Sequence, residues 1–311
     1  MVERRRLAIL LSTFNGEAFL SEQLDSILQQ SFTDFIIVAR DDGSVDRTPG
    51  ILTQYAAEHV GRLFILPDEG SNLGAKASFA VLMQYVLKHK SELGLVRAYM
   101  MFADQDDIWA ANKIEIEFNS LLLLETADGY RMPALVHSDL EVVDFEGKRI
   151  AASYIAYQGL QSQRDSLVNQ VQSNLVTGCT AVINEELALK VLPIPDEAIM
   201  HDWWIAIAAV AYGRRLFIDQ CLVRYRQHGR NTIGAKPFVA AAPAANSLWG
   251  KLRAYQANPH LFAVAEQSRA VLRHHRGALS LRHRLGLQLL GYVNVRSGLL
   301  QILLFRLARY F

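Results

Sequence analysis

The side chains able to do chemistry fall into a few short polar clusters. Asp104-Gln105-Asp106-Asp107 places three carboxylates within four residues, directly after the apolar run Tyr99–Ala103. Carboxylates this close repel one another unless a cation or solvent offsets the charge. A hard divalent ion, Mg2+ or Mn2+, takes oxygen ligands and bridges protein carboxylates to substrate phosphates. A solvated acidic turn is the alternative, but the apolar strand before the cluster and Ile108-Trp109 after it favour a metal site. Asp41-Asp42-Gly43-Ser44 ends a second apolar run, residues 35–39. It reads either as a turn with a helix cap or as a ligand contact, in which a carboxylate accepts a hydrogen bond from a base imide N–H. Ser12-Thr13 ends a third run, residues 7–11.

Two later clusters add to these. His201-Asp202-Trp203-Trp204 opens a very apolar segment. An aspartate there is either a helix cap or, beside tryptophans whose faces pack on sugar C–H surfaces, a general base for a hydroxyl nucleophile. Arg226-Gln227-His228-Gly229 follows a strand-like run, and His228 could give a metal a nitrogen ligand.

The elements that must hold these residues alternate in type. Residues 7–12, 35–39, 62–67 and 99–103 read as buried strands, and helices are expected over 18–30, from about 46, over 75–90 and up to 125. Pro49 fits the first turn of the second helix. Such alternation means an α/β fold, a mostly parallel sheet with helices on both faces. The Ser12, Asp41-Asp42 and Asp104 clusters each follow a strand, so they share the sheet edge where open α/β folds bind ligands. After residue 135 the rhythm changes. Strands are expected at 135–144, 179–184 and 216–226, and a helix over 201–212.

Composition narrows the function. The chain has 311 residues, 51% of them hydrophobic and 20% charged, enough to bury a core. A net charge of +1 excludes a globally basic nucleic-acid binder. The two cysteines, Cys179 and Cys221, cannot form a CxxC site or a disulfide framework. No Walker A, GxGxxG, HExxH or GxSxG pattern occurs, against a P-loop ATPase, a dinucleotide enzyme, a zincin and an α/β-hydrolase. The basic start leads into an apolar run that stops at Leu11, shorter than a secretory segment needs, so a cytoplasmic location is expected.

Charge is uneven along the chain. Residues 250–311 hold ten Lys/Arg and one acid, a net +9, and the remainder carries −8. The stretch 240–245, Ala-Ala-Ala-Pro-Ala-Ala, reads as a linker. The expected division is a catalytic domain over 1–239, a linker over 240–249 and a basic amphipathic helical tail over 250–311. Within the tail, residues 285–305 carry one charge, Arg296. Arg284, Gln288, Arg306 and Arg309 form a polar stripe opposite Leu287, Leu290, Leu300 and Leu304 at helical spacing. One basic helix lying on an anionic membrane surface accounts for both features, which predicts peripheral attachment to the inner face of the cell membrane. Packing on the catalytic body, or on a second subunit in a homodimer, is the alternative.

Taken in order, Ser12-Thr-Phe-Asn-Gly-Glu17, Arg40-Asp-Asp-Gly-Ser44, Asn72-Leu-Gly74, Asp104-Gln-Asp-Asp-Ile-Trp109, Asn174-Leu-Val-Thr-Gly-Cys179, His201-Asp-Trp-Trp204 and Tyr225-Arg-Gln-His228 resemble the inverting family-2 glycosyltransferases. The closest likeness is to the rhamnosyltransferase-like members that build bacterial surface polysaccharides, and it covers roughly residues 5–235. The resemblance implies a GT-A fold with a helical C-terminal extension. It also implies a metal-dependent inverting transfer from a nucleoside diphosphate sugar to a lipid-linked or growing glycan. It places Ser12, Thr13, Asn15, Asp42, Lys76 and Asp104 on the nucleotide side. Asp104, Asp106, Asp107 and His228 fall at the Mg2+ or Mn2+ site, and Asp202 is the catalytic base. His201 stands where the family usually has an acid. A nucleotidyltransferase is the runner-up, although residues 12–17 lack the basic or glycine-rich triphosphate loop it would need. A non-catalytic sugar-binding protein would explain the tryptophans but not the aspartates.

Overall fold

The computed structural model describes residues 5–67, 71–160, 166–229 and 258–311. Its frame is one sheet. The strands are β1 (Leu7–Thr13), β2 (Phe35–Asp41), β3 (Leu63–Ile65), β4 (Tyr99–Ala103), β5 (Ile108–Trp109), β6 (Ala134–Val143), β7 (Arg149–Ala151), β8 (Ala181–Ile183) and β9 (Arg214–Arg226). Their order is β3-β2-β1-β4-β8-β6-β9-β5, with β7 paired to β6. The half that ends in the polar clusters is parallel: β1 pairs with β2 and β4, and β2 with β3. Beyond β4 the sheet is mixed, since β8 runs antiparallel to both β4 and β6, while β6 and β9 are parallel. The chain leaves β1 toward β2 and β3, then returns to β4 on the other side of β1. That reversal opens a crevice at the strands' carboxyl ends.

Side-chain alternation along these strands sorts the core into two layers. Ala8, Leu10, Ile36, Val38, Met100 and Phe102 face one way, and Leu7, Ile9, Leu11, Phe35, Ile37, Met101 and Ala103 the other. The second layer is covered by α1 (Leu20–Leu28), α2 (Thr48–Glu58) and α4 (Lys113–Leu124). The first is covered by α3 (Ala75–His89), α6 (Leu167–Gln172), α7 (Glu185–Val191) and α8 (His201–Tyr212). A short helix, α5 (Tyr154–Tyr157), follows β7. The expected strands and long helices are thus present with slightly shifted ends. Residues 154–157, 167–172 and 185–191, too short to show helical periodicity, are helices the sequence did not announce.

The expected linker, 240–249, lies outside the described residues. The C-terminal region from residue 258 forms α9 (His260–His274), α10 (Leu281–Gly291) and α11 (Gly298–Ala308). The expected single helix over 285–305 is therefore two. The break holds the β-branched Val293 and Val295, and Ser297 caps α11 by accepting the Leu300 N–H at 3.4 Å. The buried Gln301 closes the turn, donating to the Val293 carbonyl at 2.9 Å and accepting from the Asn258 N–H at 2.8 Å. Leu287 and Leu290, read above as a membrane-facing row, are fully buried in the same core layer as α8, together with Val264, Ala265 and Val271. α6 ties the extension down, with Gln172 Nε2 donating to the Phe305 carbonyl at 2.5 Å and Arg309 Nε to Gln172 Oε1 at 3.0 Å.

Candidate active site

A cavity of about 370 Å³ opens at the carboxyl ends of β1, β2 and β4, with the N-terminal turn of α8 as its far wall. Ser12, Thr13, Asp42, Asp104, Asp106, His201 and Asp202 all line it, although they come from four separate parts of the chain. Gln105 ties two of those parts together. Its side chain accepts the Phe14 N–H at 2.7 Å and donates to the Phe14 carbonyl at 2.9 Å. The approach is so close that a Cβ on Gly16 would lie 2.2 Å from Gln105 Oε1, so a side chain there would displace the Gln105 amide from Phe14.

The nucleotide-side candidates divide into those that face the cavity and those that shape it. Ser12 lines the cavity, its hydroxyl 2.6 Å from that of Ser78 on α3. Asp42 lines it too, but its carboxylate already pairs with the buried Arg40 and accepts the Leu73 and Gly74 N–H groups, each at 2.8 Å. It therefore holds the 72–74 loop in place at the rim. Thr13 turns its hydroxyl to Asp41 at 2.9 Å, and Asp41 accepts both the Ser44 hydroxyl and the Ser44 N–H. Asp41 is thus turn chemistry. Asn15 and Lys76 lie outside the cavity lining. Asn15, at φ 49°, bonds the 44–45 turn through its N–H and Oδ1. Lys76 Nζ donates to the Asp196 and Ala198 carbonyls at 2.6 and 2.9 Å, bracing the segment that leads into α8. Both residues build the walls.

The acidic cluster splits between floor and foundation. Asp104 lies deep at the cavity floor, and its carboxyl is pushed up to about 7 by burial, with Asp106 and Asp202 adding repulsion. Asp106 Oδ2 is 2.8 Å from His228 Nε2, so the structure unites two expected ligands 122 residues apart. The His228 ring stacks on Phe19 at 5.2 Å. Asp107, expected among the metal ligands, lies outside the cavity lining. It is fully buried, accepting the Arg226 N–H at 3.3 Å and a hydrogen bond from the Cys179 thiol. Burial and the negative neighbours push both groups well above their ordinary values, so the thiol stays protonated. The chain bends at Gln105 and Asp106 between β4 and β5, and past that bend Asp107 turns inward beneath the cavity.

Asp104, Asp107 and Cys179 have ligand atoms within 4.8 Å of one another, yet a protonated sulfur suits neither Mg2+ nor Mn2+. Asp104, Asp106 and His228 offer the harder donors, two carboxylates and one imidazole nitrogen, of which Asp106 and His228 meet each other directly. Sequence reasoning missed Arg226, the residue that positions this set. Arg226 Nε donates to the Asp106 carbonyl at 3.1 Å, its guanidinium meets Glu22 at 2.6 Å, and it sits over the Phe19 ring. The signal is the block Tyr225-Arg-Gln-His228, which sets an arginine two residues before the histidine.

Asp202 projects from the first turn of α8 into the cavity. Its two oxygens accept the Trp203 N–H at 2.6 Å and the Gly178 N–H at 3.0 Å. Burial nevertheless dominates and pushes its carboxyl up to about 7, a value suited to taking a proton near neutral pH. The paired tryptophans are not sugar platforms. Trp203 and Trp204 are buried in the core, their indole N–H groups satisfied by the Gln170 and Val191 carbonyls at 2.6 and 3.2 Å. Large aromatic residues on a helix packed between α6 and α7 serve the interior, and each indole N–H finds a backbone acceptor.

Residues 8–124 match the family model described as Glycosyl transferase family 2. The Shigella flexneri protein dTDP-rhamnosyl transferase RfbG is 28% identical over 242 residues, 72% of this chain and 74% of that protein. The Escherichia coli UDP-Glc:alpha-D-GlcNAc-diphosphoundecaprenol beta-1,3-glucosyltransferase WfgD is 23% identical over 189 residues, and the match spans 64% of its length. Among solved structures, S. aureus TarS 1-349 in complex with UDP-GlcNAc superposes with a TM-score of 0.54 at 14% identity, covering 98% of this chain and 90% of that one. The Pyrobaculum calidifontis mannosyltransferase PcManGT, in complex with GDP-Man and Mn2+, gives 0.51 at 15% identity, with 99% and 87% covered. The sheet order and these neighbours make the fold GT-A with helices appended at the C-terminus.

Proposed function

We propose, from the premise that residues 8–124 form a Glycosyl transferase family 2 domain, that the protein transfers a sugar with inversion from a nucleoside diphosphate to a hydroxyl of a lipid-linked or growing cell-surface glycan. In this reading 1–239 is the catalytic unit and the sugar is rhamnose, carried by a dTDP donor as the name of RfbG suggests. The observation that carries the proposal is the convergence on one cavity of Asp104, Asp106 and the perturbed Asp202. Ser12 and the loop held by Asp42 cradle the nucleoside. Asp202 takes the proton of the acceptor hydroxyl, whose oxygen bonds the anomeric carbon as the bond to the diphosphate oxygen breaks. A single displacement inverts that carbon, so dTDP-β-L-rhamnose would yield an α-rhamnoside. A divalent ion held by Asp104, Asp106 and His228 would offset the charge of the departing diphosphate.

The test is a panel of dTDP-, UDP- and GDP-sugars, read by thermal shift and by the products released. The proposal expects one donor to stabilise the protein and to release nucleoside diphosphate when an acceptor is added. Release of pyrophosphate would instead identify a nucleotidyltransferase.

The extension supports a place for this reaction. No helix among the described residues is long and apolar enough to cross a membrane. On α11, however, Leu299, Leu300, Leu303 and Leu307 are exposed and fall within roughly 100° of one helix face. Arg306 borders that face, Arg296 precedes it, and the segment carries the chain's excess of positive charge. An apolar stripe rimmed by arginine suits an anionic bilayer surface. We take this face, rather than the Leu287 and Leu290 row, as the attachment to the inner leaflet, with α6 tying the extension to the catalytic body.

A further inference from the structure

A cavity wall whose polar groups are satisfied by their own protein says little about what fills it. His201 is different. Among the described residues lining the cavity, it is the buried side chain whose polar atoms have no partner: it is 5% exposed, and neither ring nitrogen makes a hydrogen bond. Buried polar groups are nearly always paired, so an orphaned one at a binding cavity points to a partner that arrives with the ligand.

Its surroundings say what kind of partner. The ring packs on Phe79 with centroids 4.2 Å apart and on Phe102 at 5.6 Å. This apolar setting holds the imidazole neutral, far below its ordinary value at about 3, through burial alone. A neutral imidazole has one N–H donor and one acceptor nitrogen, which suits a hydroxyl and offers no positive charge to a phosphate. Gly178 fixes where the ring edge lies. A Cβ at that glycine would stand 2.9 Å from His201 Nε2 and 3.7 Å from the Asp202 Cβ. The Gly178 N–H itself donates to Asp202 Oδ2. The imidazole edge and the base carboxylate therefore flank one glycine of the cavity lining.

We propose that His201 holds a hydroxyl of the transferred sugar, beside the carbon that Asp202 brings under attack, and so helps select which sugar the enzyme accepts. The inference rests on the transferase reading above. Asp202 must lie within about 3–3.5 Å of a hydroxyl that is itself that close to the anomeric carbon, so a nitrogen next to Asp202 meets the sugar rather than the nucleoside. Glycine at position 178 is then a requirement of substrate recognition, because any larger residue would displace the ring.

The experiment compares dTDP with dTDP-L-rhamnose, UDP with UDP-GlcNAc and GDP with GDP-mannose, by calorimetry on the full chain without acceptor. The sugar increment is the extra affinity of the nucleotide sugar over its bare nucleotide. His201→Phe keeps a ring between Phe79 and Phe102 but removes both nitrogens, and His201→Gln restores an amide near the Nε2 position. Expected are unchanged binding of the bare nucleotide, a sugar increment cut by about tenfold or more in His201→Phe, and partial recovery in His201→Gln. Equal losses for nucleotide and nucleotide sugar would make His201 structural and overturn the inference. So would an intact increment accompanied by a raised KM for the acceptor. If the unmodified protein shows no increment with any of the three pairs, the transferase reading itself fails and takes this inference with it.

Discussion

Asp202 and Asp104 sit where a carboxyl ionises reluctantly, and for Asp202 that reluctance is useful. A base whose value lies near 7 takes a proton in the transition state and gives it up afterwards. Removing a general base costs roughly 10²–10⁴ in rate. Asp202→Asn should therefore lower kcat by that order while nucleotide affinity stays unchanged, as measured by calorimetry with the bare nucleotide. Parallel loss of nucleotide binding and turnover would make Asp202 a helix-end or donor contact instead. Asp106 makes a different prediction, since its carboxylate shares the His228 imidazole. Asp106→Asn should keep the melting temperature within a few degrees yet abolish the Mn2+-induced thermal shift of the unmodified protein. Full transfer in excess chelator would refute the metal assignment.

At the scale of elements, the C-terminal helices present two faces with opposite expected behaviour. Leu290 of α10 is fully buried against the layer that contains α8. Leu290→Ala should destabilise the protein by about 2–5 kcal/mol, as leucine truncations in packed cores do. Leu299 and Leu303 on α11 point outward, so the double substitution to Glu should leave the melting temperature nearly unchanged. It should nevertheless release the protein from vesicles containing anionic lipid at low salt, measured by co-sedimentation. Retention on vesicles would overturn membrane attachment. A change in oligomeric state on substitution, without vesicle binding by the unmodified protein, would assign the stripe to a second copy of the chain.

For the whole molecule, the burial of carboxyl groups at the cavity links stability to pH. Asp104 and Asp202 are raised to about 7 from an ordinary carboxyl near 4. Groups raised in this way favour the fold in their protonated form, fully so below the unfolded value, and that contribution is lost as pH climbs through about 7. In chelator, the melting temperature should therefore fall as pH rises from about 6 to about 8. A divalent ion takes over the neutralising role of the protons, so the slope should flatten in Mn2+. Scanning calorimetry across that range in the two buffers checks it. Identical slopes with and without the ion would contradict a cation at this site.

Much of this protein was legible in its residues. The alternation of short apolar runs with amphipathic ones determined the parallel half of the sheet, because local periodicity reports directly which face of an element is buried. The polar clusters at three strand ends determined where the cavity would open. Other features depended on contacts between residues far apart in the chain. Asp106 and His228 read as separate motifs until β9 returned beside the acidic loop. Asp107 was indistinguishable from its neighbours by type, and only the direction of the backbone sent it beneath the floor. Trp203 and Trp204 looked suited to sugar, and the packing of α8 between α6 and α7 claimed them for the core. The apolar face of the tail likewise belonged to whichever surface reached it first. Tertiary structure gave Leu287 and Leu290 to the body and left Leu299, Leu303 and Leu307 uncovered. Periodicity specifies that a face is buried, whereas the identity of the surface that buries it is a property of the assembled fold.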